Sequence, residues 1–366
     1  MNPPVSEAIL SITPYKPGKP LEELAREYGV TDAVKLASNE NPLGPSPKAV
    51  EAVRKALGNL HRYPDGACHD LVVRLAETLG VSEQEIVVGN GSDDIIAMLT
   101  RAFLQPGDEA IIADPTFLMY EIGIRTSGAR VVKVPVEGLG IRVDAILDAV
   151  GKRCRLIFLC NPNNPTGAVV SDAEFRRLLD GLPSDVLLVV DEAYMEFVRD
   201  PHCARSLELR RTTDRAVVTL RTFSKAYGLA GLRVGYGVMP AWVADILHRV
   251  RQPFNVNTLA QVAAAAALDD VAFLNDSIRC VHEGIDWMQA EIEAMGLVCH
   301  PTQANFFLID VGRSAEAVFQ AMLREGVIVR SMRAYGYPTH IRVNAGTLAE
   351  NERFIAALRR VIPEVV

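Results

Sequence analysis

Short apolar runs alternate with helix-like segments over the middle of the chain, from about residue 46 to residue 239. The apolar runs cover residues 86–88, 110–113, 156–160, 186–190, 216–220 and 234–239. Runs this short and this uniformly apolar are typical of strands that are buried on both faces of a parallel sheet. The pattern therefore predicts an α/β fold, with a mostly parallel sheet flanked by helices in a large domain.

Start and stop signals for helices stand between the apolar runs. Ser46 followed by Pro47 predicts the start of a helix, and Gly58 predicts its end. Ser171 and Glu174 have the spacing of a capping box ahead of a helix. We interpret that helix as a crossover between two strands of the sheet.

The pattern changes after residue 239 and predicts a second, smaller α+β domain. An Ala-rich helix (258–268) and an amphipathic helix (277–295) come first. They are followed by strand 305–311, helix 315–325, strands 327–330 and 341–344, and helix 349–361. The predicted division is an N-terminal arm (1–45), a large domain (46–255) and a small domain (256–366). The arm is Pro-rich with one short helix (21–28), so we expect it to pack on the small domain and on a dimer partner.

Composition narrows the possible functions of this 366-residue chain. Lys and Arg total 38 against 45 Asp and Glu, a net charge of -7, which argues against nucleic acid as the main partner. The six cysteines include no CxxC pair, so we expect reduced thiols and no metal site. No run of 18 apolar residues and no secretory signal pattern occurs, which makes the cytoplasm the expected location and a membrane partner unexpected.

Polar residues that are suited to chemistry follow three of the predicted strands directly. The segments are NPNNPTG (161–167), DEAY (191–194) and RTFSK (221–225). Because the carboxyl ends of parallel strands line the ligand crevice of an open sheet, Asn164, Asp191, Tyr194 and Lys225 should converge there. Taken one at a time, each has an ordinary structural explanation as a turn, a cap or a solvated side chain. Their convergence is the signal for a site.

A buried lysine beside a buried aspartate favours pyridoxal phosphate chemistry. A desolvated lysine amine forms a Schiff base with an aldehyde, and a carboxylate keeps the pyridine nitrogen of that cofactor protonated. Lys225 and Asp191 suit these two tasks. A phosphate cradle is predicted where GNGSD (89–93) opens a helix, with Ser92 and the helix amides as donors. Ser224 and Arg233 add a hydroxyl and a guanidinium to that cradle.

Several motifs together resemble the fold-type I, pyridoxal-phosphate-dependent aminotransferases. They are SKAYGLAGLRVG (224–235), NPTG (164–167) and DEAY (191–194). Within that family the chain is similar, over essentially its whole length, to the histidinol-phosphate aminotransferase subgroup. The segments that carry this second resemblance are YKPG (15–18), LASNENPLGPS (36–46), RYPD (62–65) and IRVNAGT (341–347).

The resemblance implies roles for individual residues. Lys225 would be the Schiff-base lysine, Asp191 would contact the pyridine nitrogen, and Asn164 and Tyr194 would contact the phenolic oxygen of the cofactor. Phe117 would stack on the cofactor ring. The residues implied to hold the cofactor phosphate are Gly91, Ser92, Asp93, Ser224, Arg233 and, from a neighbouring subunit, Tyr63. A homodimer with shared active sites is therefore implied as well.

The implied substrates are L-histidinol phosphate and 2-oxoglutarate, with imidazole-acetol phosphate and L-glutamate as products in histidine biosynthesis. Arg342 would receive the carboxylate of the amino donor, and Arg330, Tyr15 and Asn39 would lie near the far end of the substrate. Many relatives have Tyr where this chain has Phe117, so a hydroxyl near the substrate is lost. The segment 331–339 also departs from better-known members, and the sequence offers no physical account of it.

Other functions stay open at this stage. An aromatic amino-acid aminotransferase would use the same residues without a preference for phosphate, and an O-phospho-threonine decarboxylase shares the scaffold. A nicotinamide dehydrogenase is disfavoured because Asp94 stands where the dinucleotide fingerprint needs its third glycine. A non-enzymatic regulator would need a DNA-binding domain, for which the arm is too short and not basic.

Overall fold

A computed structural model describes residues 4–15 and 18–365, so Lys16 and Pro17 of the predicted arm motif lie outside the described residues. The strands in chain order are β1 (Val34–Lys35), β2 (Ile86–Gly89), β3 (Glu109–Asp114), β4 (Arg130–Pro135), β5 (Cys154–Cys160), β6 (Leu187–Asp191), β7 (Val217–Thr222), β8 (Gly235–Val238), β9 (Val298–Cys299), β10 (Phe306–Asp310), β11 (Val327–Ile328), β12 (Arg330–Ser331) and β13 (His340–Asn344). The α-helices are α1 (Glu7–Leu10), α2 (Leu21–Tyr28), α3 (Pro47–Ala56), α4 (His69–Leu79), α5 (Ser92–Phe103), α6 (Leu118–Thr126), α7 (Val143–Asp148), α8 (Asp172–Gly181), α9 (Ser206–Leu209), α10 (Ala241–Val250), α11 (Thr258–Leu268), α12 (Val271–Glu293), α13 (Ala315–Arg324) and α14 (Leu348–Glu364).

The central sheet has seven strands in the order β2-β8-β7-β6-β5-β3-β4. Only β8 runs antiparallel to its neighbours β7 and β2, so the predicted α/β fold with a mostly parallel sheet is confirmed. All six predicted strands are present, but the edge strand β4 was not predicted. Of its six residues only Val134 is buried, and Lys133 interrupts its apolar run, so it lacks the pattern of a central strand.

The register of three central strands brings their carboxyl ends to one edge of the sheet. Cys160 of β5 pairs with Asp191 of β6, and Asp191 pairs with Leu220 of β7. Side chains that follow these strands therefore emerge side by side, as the strand-end argument requires.

A second sheet of four antiparallel strands, in the order β12-β13-β10-β9, forms the small domain. Helices α12, α13 and α14 cover it, and the shared core contains Phe306, Phe307 and Phe354. Strand β1 of the arm pairs in parallel with β11. This pairing ties the end of the arm to the small domain.

Helix ends follow the predicted caps in most cases. The Ser46 hydroxyl accepts from the Ala49 amide at the start of α3, and both bonds of the Ser171–Glu174 capping box are formed. The prediction that the long helix begins at residue 277 was wrong, because α12 begins at Val271. Ser277 lies within this helix, where its buried side chain accepts a hydrogen bond from Asn41 at 2.9 Å.

The packing of α11 bears on the predicted domain boundary at residue 255. Its buried alanines (Ala260, Ala263, Ala264 and Ala267) share a cluster with residues of α4, β2 and β8. Helix α12 instead joins the core of the small domain. We therefore propose that the large domain ends after Leu268. Within the described part of the chain, none of the helices has the length and apolar character needed to cross a membrane.

Candidate active site

The carboxyl ends of β5, β6 and β7 border a cavity of about 330 Å³. Most of the side chains predicted for the site line this cavity. They are Tyr15, Asn39, Ser92, Asp93, Phe117, Asn164, Asp191, Tyr194, Ser224, Lys225, Arg233, Arg330 and Arg342. Two predicted residues, Gly91 and Tyr63, do not line it. Lys225 and Asp191 thus face one cavity although 34 positions separate them in the sequence.

Lys225 follows β7 and is the only lysine among the residues that line this cavity. Its Nζ donates to the backbone carbonyl of Ser38 at 3.1 Å. Burial, with a further contribution from the Arg342 guanidinium, lowers the pKa of the amine from 10.5 to about 8. About a tenth of an amine with this pKa is neutral near pH 7, far more than of an ordinary lysine, and a nucleophile or proton carrier requires the neutral form.

Asp191 is the last residue of β6 and is 3% exposed. Its Oδ2 accepts from the Tyr120 hydroxyl at 2.7 Å, and its Oδ1 accepts from the Ala193 amide at 3.2 Å. Burial raises the pKa of this carboxyl from 3.8 to about 6, while the Tyr120 hydrogen bond acts in the opposite direction. The carboxylate is therefore ionised at neutral pH, but at a cost that a nearby cation would offset.

Tyr120 was missed by the sequence analysis. It lies on α6 three residues after Phe117, with the two rings in edge contact at 5.5 Å. Its ring is fully buried and stacks on Phe158 at 5.0 Å, which directs the hydroxyl towards Asp191. The only local signal was the spacing of three, which places both aromatic residues on one side of a helix.

The Tyr194 hydroxyl accepts hydrogen bonds from two amide side chains. Asn39 Nδ2 lies 3.0 Å from this oxygen and Asn164 Nδ2 lies 3.3 Å from it. Burial raises the pKa of Tyr194 above its ordinary value of 10, so the hydroxyl keeps its proton. Because both lone pairs are engaged, the hydroxyl can act towards the cavity only as a donor.

Asn39, which we expected near the far end of the substrate, lines the cavity and contacts Tyr194. Its left-handed backbone (φ 55°) and a hydrogen bond from its own amide to Asn344 Oδ1 at 3.0 Å turn the side chain in that direction. Tyr335, which was not predicted, lines the cavity together with Arg330 and Tyr15.

Arg342 extends from β13 into the cavity and is 7% exposed. Its guanidinium donates to the Ala37 carbonyl at 3.0 Å and to Asn164 Oδ1, and it lies 4.9 Å from the centre of the Phe306 ring. Its Nε is buried and has no hydrogen-bond partner among residues 4–15 and 18–365. Burial lowers the pKa of this guanidinium. A buried cation with an unused donor is suited to an anionic ligand.

An anion cradle lies where β2 leads into α5. Gly91 has φ 79° and no side chain caps the helix, so the first amides of α5 have no capping acceptor. A Cβ on Gly91 would lie 2.6 Å from Arg233 Nη2, and one on Gly235 would lie 2.6 Å from the Ser92 amide. The glycines therefore allow the arginine and the helix start to approach each other. The Asp93 carboxylate lies 3.5 Å from Arg233, which leaves the amide of Asp93, and not its side chain, for an anion.

Tyr63 lies outside the cavity of its own chain. Its side chain is 82% exposed and its ring stacks on Phe254 with the ring centres 4.7 Å apart. The predicted contact of Tyr63 with a cofactor phosphate is therefore not made within this chain.

Comparisons with known proteins agree with this geometry. The family described as aminotransferase class I and II matches residues 31–358. A histidinol-phosphate aminotransferase of Moorella thermoacetica is 49% identical over 98% of this chain and 93% of its own. The solved structure of histidinol-phosphate aminotransferase from Sinorhizobium meliloti in complex with pyridoxal-5'-phosphate superposes with a TM-score of 0.90 at 28% identity, covering 100% of this chain and 99% of that one. An L-threonine-O-3-phosphate decarboxylase from Porphyromonas gingivalis gives 0.79 at 26% identity, covering 90% and 99%.

Proposed function

This chain belongs to the class I and II aminotransferases, and on that basis we propose that it transfers the amino group of L-histidinol phosphate to 2-oxoglutarate. The products are imidazole-acetol phosphate and L-glutamate, and the reaction belongs to histidine biosynthesis. The cofactor is pyridoxal 5'-phosphate. The observation that carries the proposal is the convergence of Lys225, Asp191 and an anion cradle on one cavity.

The residues of the cavity fit this cofactor. The amides at the start of α5, the Ser224 hydroxyl and Arg233 suit its phosphate, and the Tyr194 hydroxyl is a donor without an acceptor in the cavity. When bound, the cofactor supplies an aldehyde that combines with amines and a ring that withdraws electrons from the reacting carbon. Phe117 offers an aromatic face to that ring.

Lys225 is the residue that we propose holds the cofactor and then moves protons. Its lowered pKa increases the neutral fraction of the amine, so Nζ can take a proton from the reacting carbon of the substrate and return it. Asp191 lies on the opposite side of the cavity and would hold the ring of the cofactor. Its ionised carboxylate would stabilise a proton on the ring nitrogen, and Tyr120 fixes the orientation of that carboxylate.

The two arginines provide substrate binding in this proposal. Arg342 retains donor capacity at Nε and would receive the carboxylate of L-glutamate. Arg330 is the cross-strand partner of Arg342, and it would bind the phosphate of L-histidinol phosphate. Tyr15 lies at the same end of the cavity.

A homodimer in the cytoplasm completes the proposal. Several large apolar side chains of this chain are exposed, among them Leu43, Leu57, Leu60, Tyr63 and Phe254, and the rings of Tyr63 and Phe254 stack on each other. Exposed apolar surface of this kind favours association. We propose that Tyr63 reaches the cofactor phosphate in the active site of a second copy.

The test compares amino donors on the purified enzyme with pyridoxal phosphate. The cofactor absorbance is followed as L-histidinol phosphate and then L-phenylalanine are added. Conversion of the cofactor to its aminated form at far lower concentrations of L-histidinol phosphate than of L-phenylalanine supports the proposal. An equal response to both would favour an aromatic amino-acid aminotransferase. Release of carbon dioxide from O-phospho-L-threonine would favour a decarboxylase instead.

A further inference from the structure

We propose that Tyr335 is a specificity-determining residue, which donates a hydrogen bond to the phosphate group of the substrate alongside Arg330. This inference rests on the proposed function, because it concerns the group that distinguishes L-histidinol phosphate from other amines. It also gives a role to the segment 331–339, for which the sequence offered no explanation.

The turn that carries Tyr335 is firmly anchored. It joins β12 to β13, where Arg330 and Arg342 are cross-strand partners. Met332 is fully buried, and its amide donates to the His340 carbonyl at 3.0 Å. The Tyr335 amide then donates to the Met332 carbonyl at 2.9 Å. These bonds fold the turn back over its own first strand and hold Tyr335 near Arg330.

Tyr335 lies at one end of the cavity that contains Lys225. A second cavity of about 770 Å³ adjoins the first, between the arm, α6 and the turn. The residues that line both cavities are Tyr15, Arg330 and Tyr335, whereas Lys225 lines only the first. The three shared residues therefore form the wall between the cavities. A substrate whose amine reaches Lys225 would direct its other end towards this wall.

The chemistry of the wall suits a phosphate group. Burial raises the pKa of Tyr335, while Arg342 and Arg330 act in the opposite direction, Arg330 partly through a side-chain hydrogen bond. The phenol is therefore protonated near neutral pH. Since the Tyr335 oxygen accepts a hydrogen bond from the Arg330 guanidinium, the Tyr335 proton remains available to an anion. The phenol and the guanidinium therefore present donors side by side.

The surrounding charges do not oppose an anion at this wall. The acidic residues of the second cavity are Asp114 and Glu121, and both contact Lys133, at 3.7 Å and 2.8 Å. Glu121 is also paired with Arg125 at 2.8 Å. Phe117 has no hydroxyl to offer, so the hydroxyl donors on this part of the cavity wall are those of Tyr335 and Tyr15.

The experiment compares two substrates that differ only in the phosphate. For the holoenzyme and the variant Tyr335→Phe, kcat/KM is measured with L-histidinol phosphate and with L-histidinol. Loss of one hydrogen bond to a charged group should reduce the ratio of the two values by about 10-fold to 100-fold. The matched control is Tyr337→Phe. Tyr337 belongs to the same turn and lines the second cavity but not the first, so its ratio should not change.

A second measurement uses inorganic phosphate as a competitive inhibitor of L-histidinol phosphate, and Tyr335→Phe should weaken this inhibition by a similar factor. An unchanged ratio and unchanged inhibition would refute the inference. So would an equal loss with both substrates, because that result indicates a merely structural role. Failure of the wild-type enzyme to use L-histidinol phosphate would refute the proposed function itself, which is a separate outcome.

Discussion

Replacing Asp191 by Asn should stabilise the cofactor-free protein near neutral pH even though it removes activity. The Asp191 carboxylate is almost completely buried, and burial raises its pKa from 3.8 to about 6. Between these two values the folded protein binds more protons than the unfolded chain. By linkage, the free energy of unfolding therefore falls as the pH rises through this window.

The size of the effect follows from the shift in pKa. At about 1.36 kcal/mol per pKa unit, ionisation of Asp191 costs the folded state about 3 kcal/mol once the pH exceeds about 6. Asparagine carries no charge, keeps the hydrogen bond from Ala193 and can form one with Tyr120 in the opposite direction. Its Oδ1 can accept from Ala193, and its Nδ2 can donate to the oxygen of Tyr120. The Asp191→Asn variant should thus be more stable by up to about 3 kcal/mol at pH 7.

Chemical unfolding of both cofactor-free proteins from pH 4 to pH 8 measures this difference. The two curves should meet near pH 4 and separate up to about pH 6, after which the difference should stay constant. Adding pyridoxal phosphate should reduce or reverse the difference, since only the wild-type carboxylate can pair with the protonated ring nitrogen. A variant that is no more stable than wild type at pH 7 would show that burial of this carboxylate does not dominate its energetics.

Three further substitutions test the roles assigned to the site. Lys225→Ala should lower kcat by at least about 100-fold, whereas the control Lys152→Ala, at an exposed lysine, should leave kcat unchanged. Normal turnover by Lys225→Ala would refute the role assigned to Lys225. Tyr120→Phe should raise the pKa of Asp191 further, by about one unit, and a pH profile of kcat/KM with an unmoved acidic limb would contradict this. Tyr63→Phe should weaken the binding of pyridoxal phosphate by about 10-fold, while sedimentation should show the same oligomeric state as wild type. An unchanged affinity would refute the proposal that Tyr63 contacts the cofactor in a second copy.

The sequence was sufficient to predict the convergence of Lys225 and Asp191, because that inference needs only the strand order of a parallel sheet. The polar residues after β5, β6 and β7 emerge at the same edge whatever the details of packing. Helix caps were predictable for a similar reason, since Ser171 and Glu174 are both partners in one local motif. Local patterns and simple topology thus account for most of the fold and for the cofactor end of the site.

The features that were missed depend on contacts between distant segments. Tyr120 acts through Asp191, which is 71 positions away, and the position of Tyr335 depends on the register of β12 against β13. The contact of Asn39 with Tyr194 was not predicted, because the left-handed backbone that turns the side chain towards Tyr194 leaves no trace in a sequence pattern. The start of the long helix was predicted at Ser277, whereas the helix begins at Val271 and Ser277 is buried within it.

The cavity contains several charged groups whose burial or proximity destabilises the folded protein. The signs of these charges indicate which ligands the cavity binds. Arg330 and Arg342 are like charges on directly paired positions of two strands, an arrangement that is destabilising in an ordinary sheet. Within residues 4–15 and 18–365, Arg342 buries a donor without a partner, and Asp191 buries a carboxylate with no cation at hydrogen-bond distance. Anionic substrate groups would relieve the first two costs, and the protonated ring nitrogen of the cofactor would relieve the third. A substrate without anionic groups would leave these costs in place, so the features that make this site costly to fold also make it selective for its ligands.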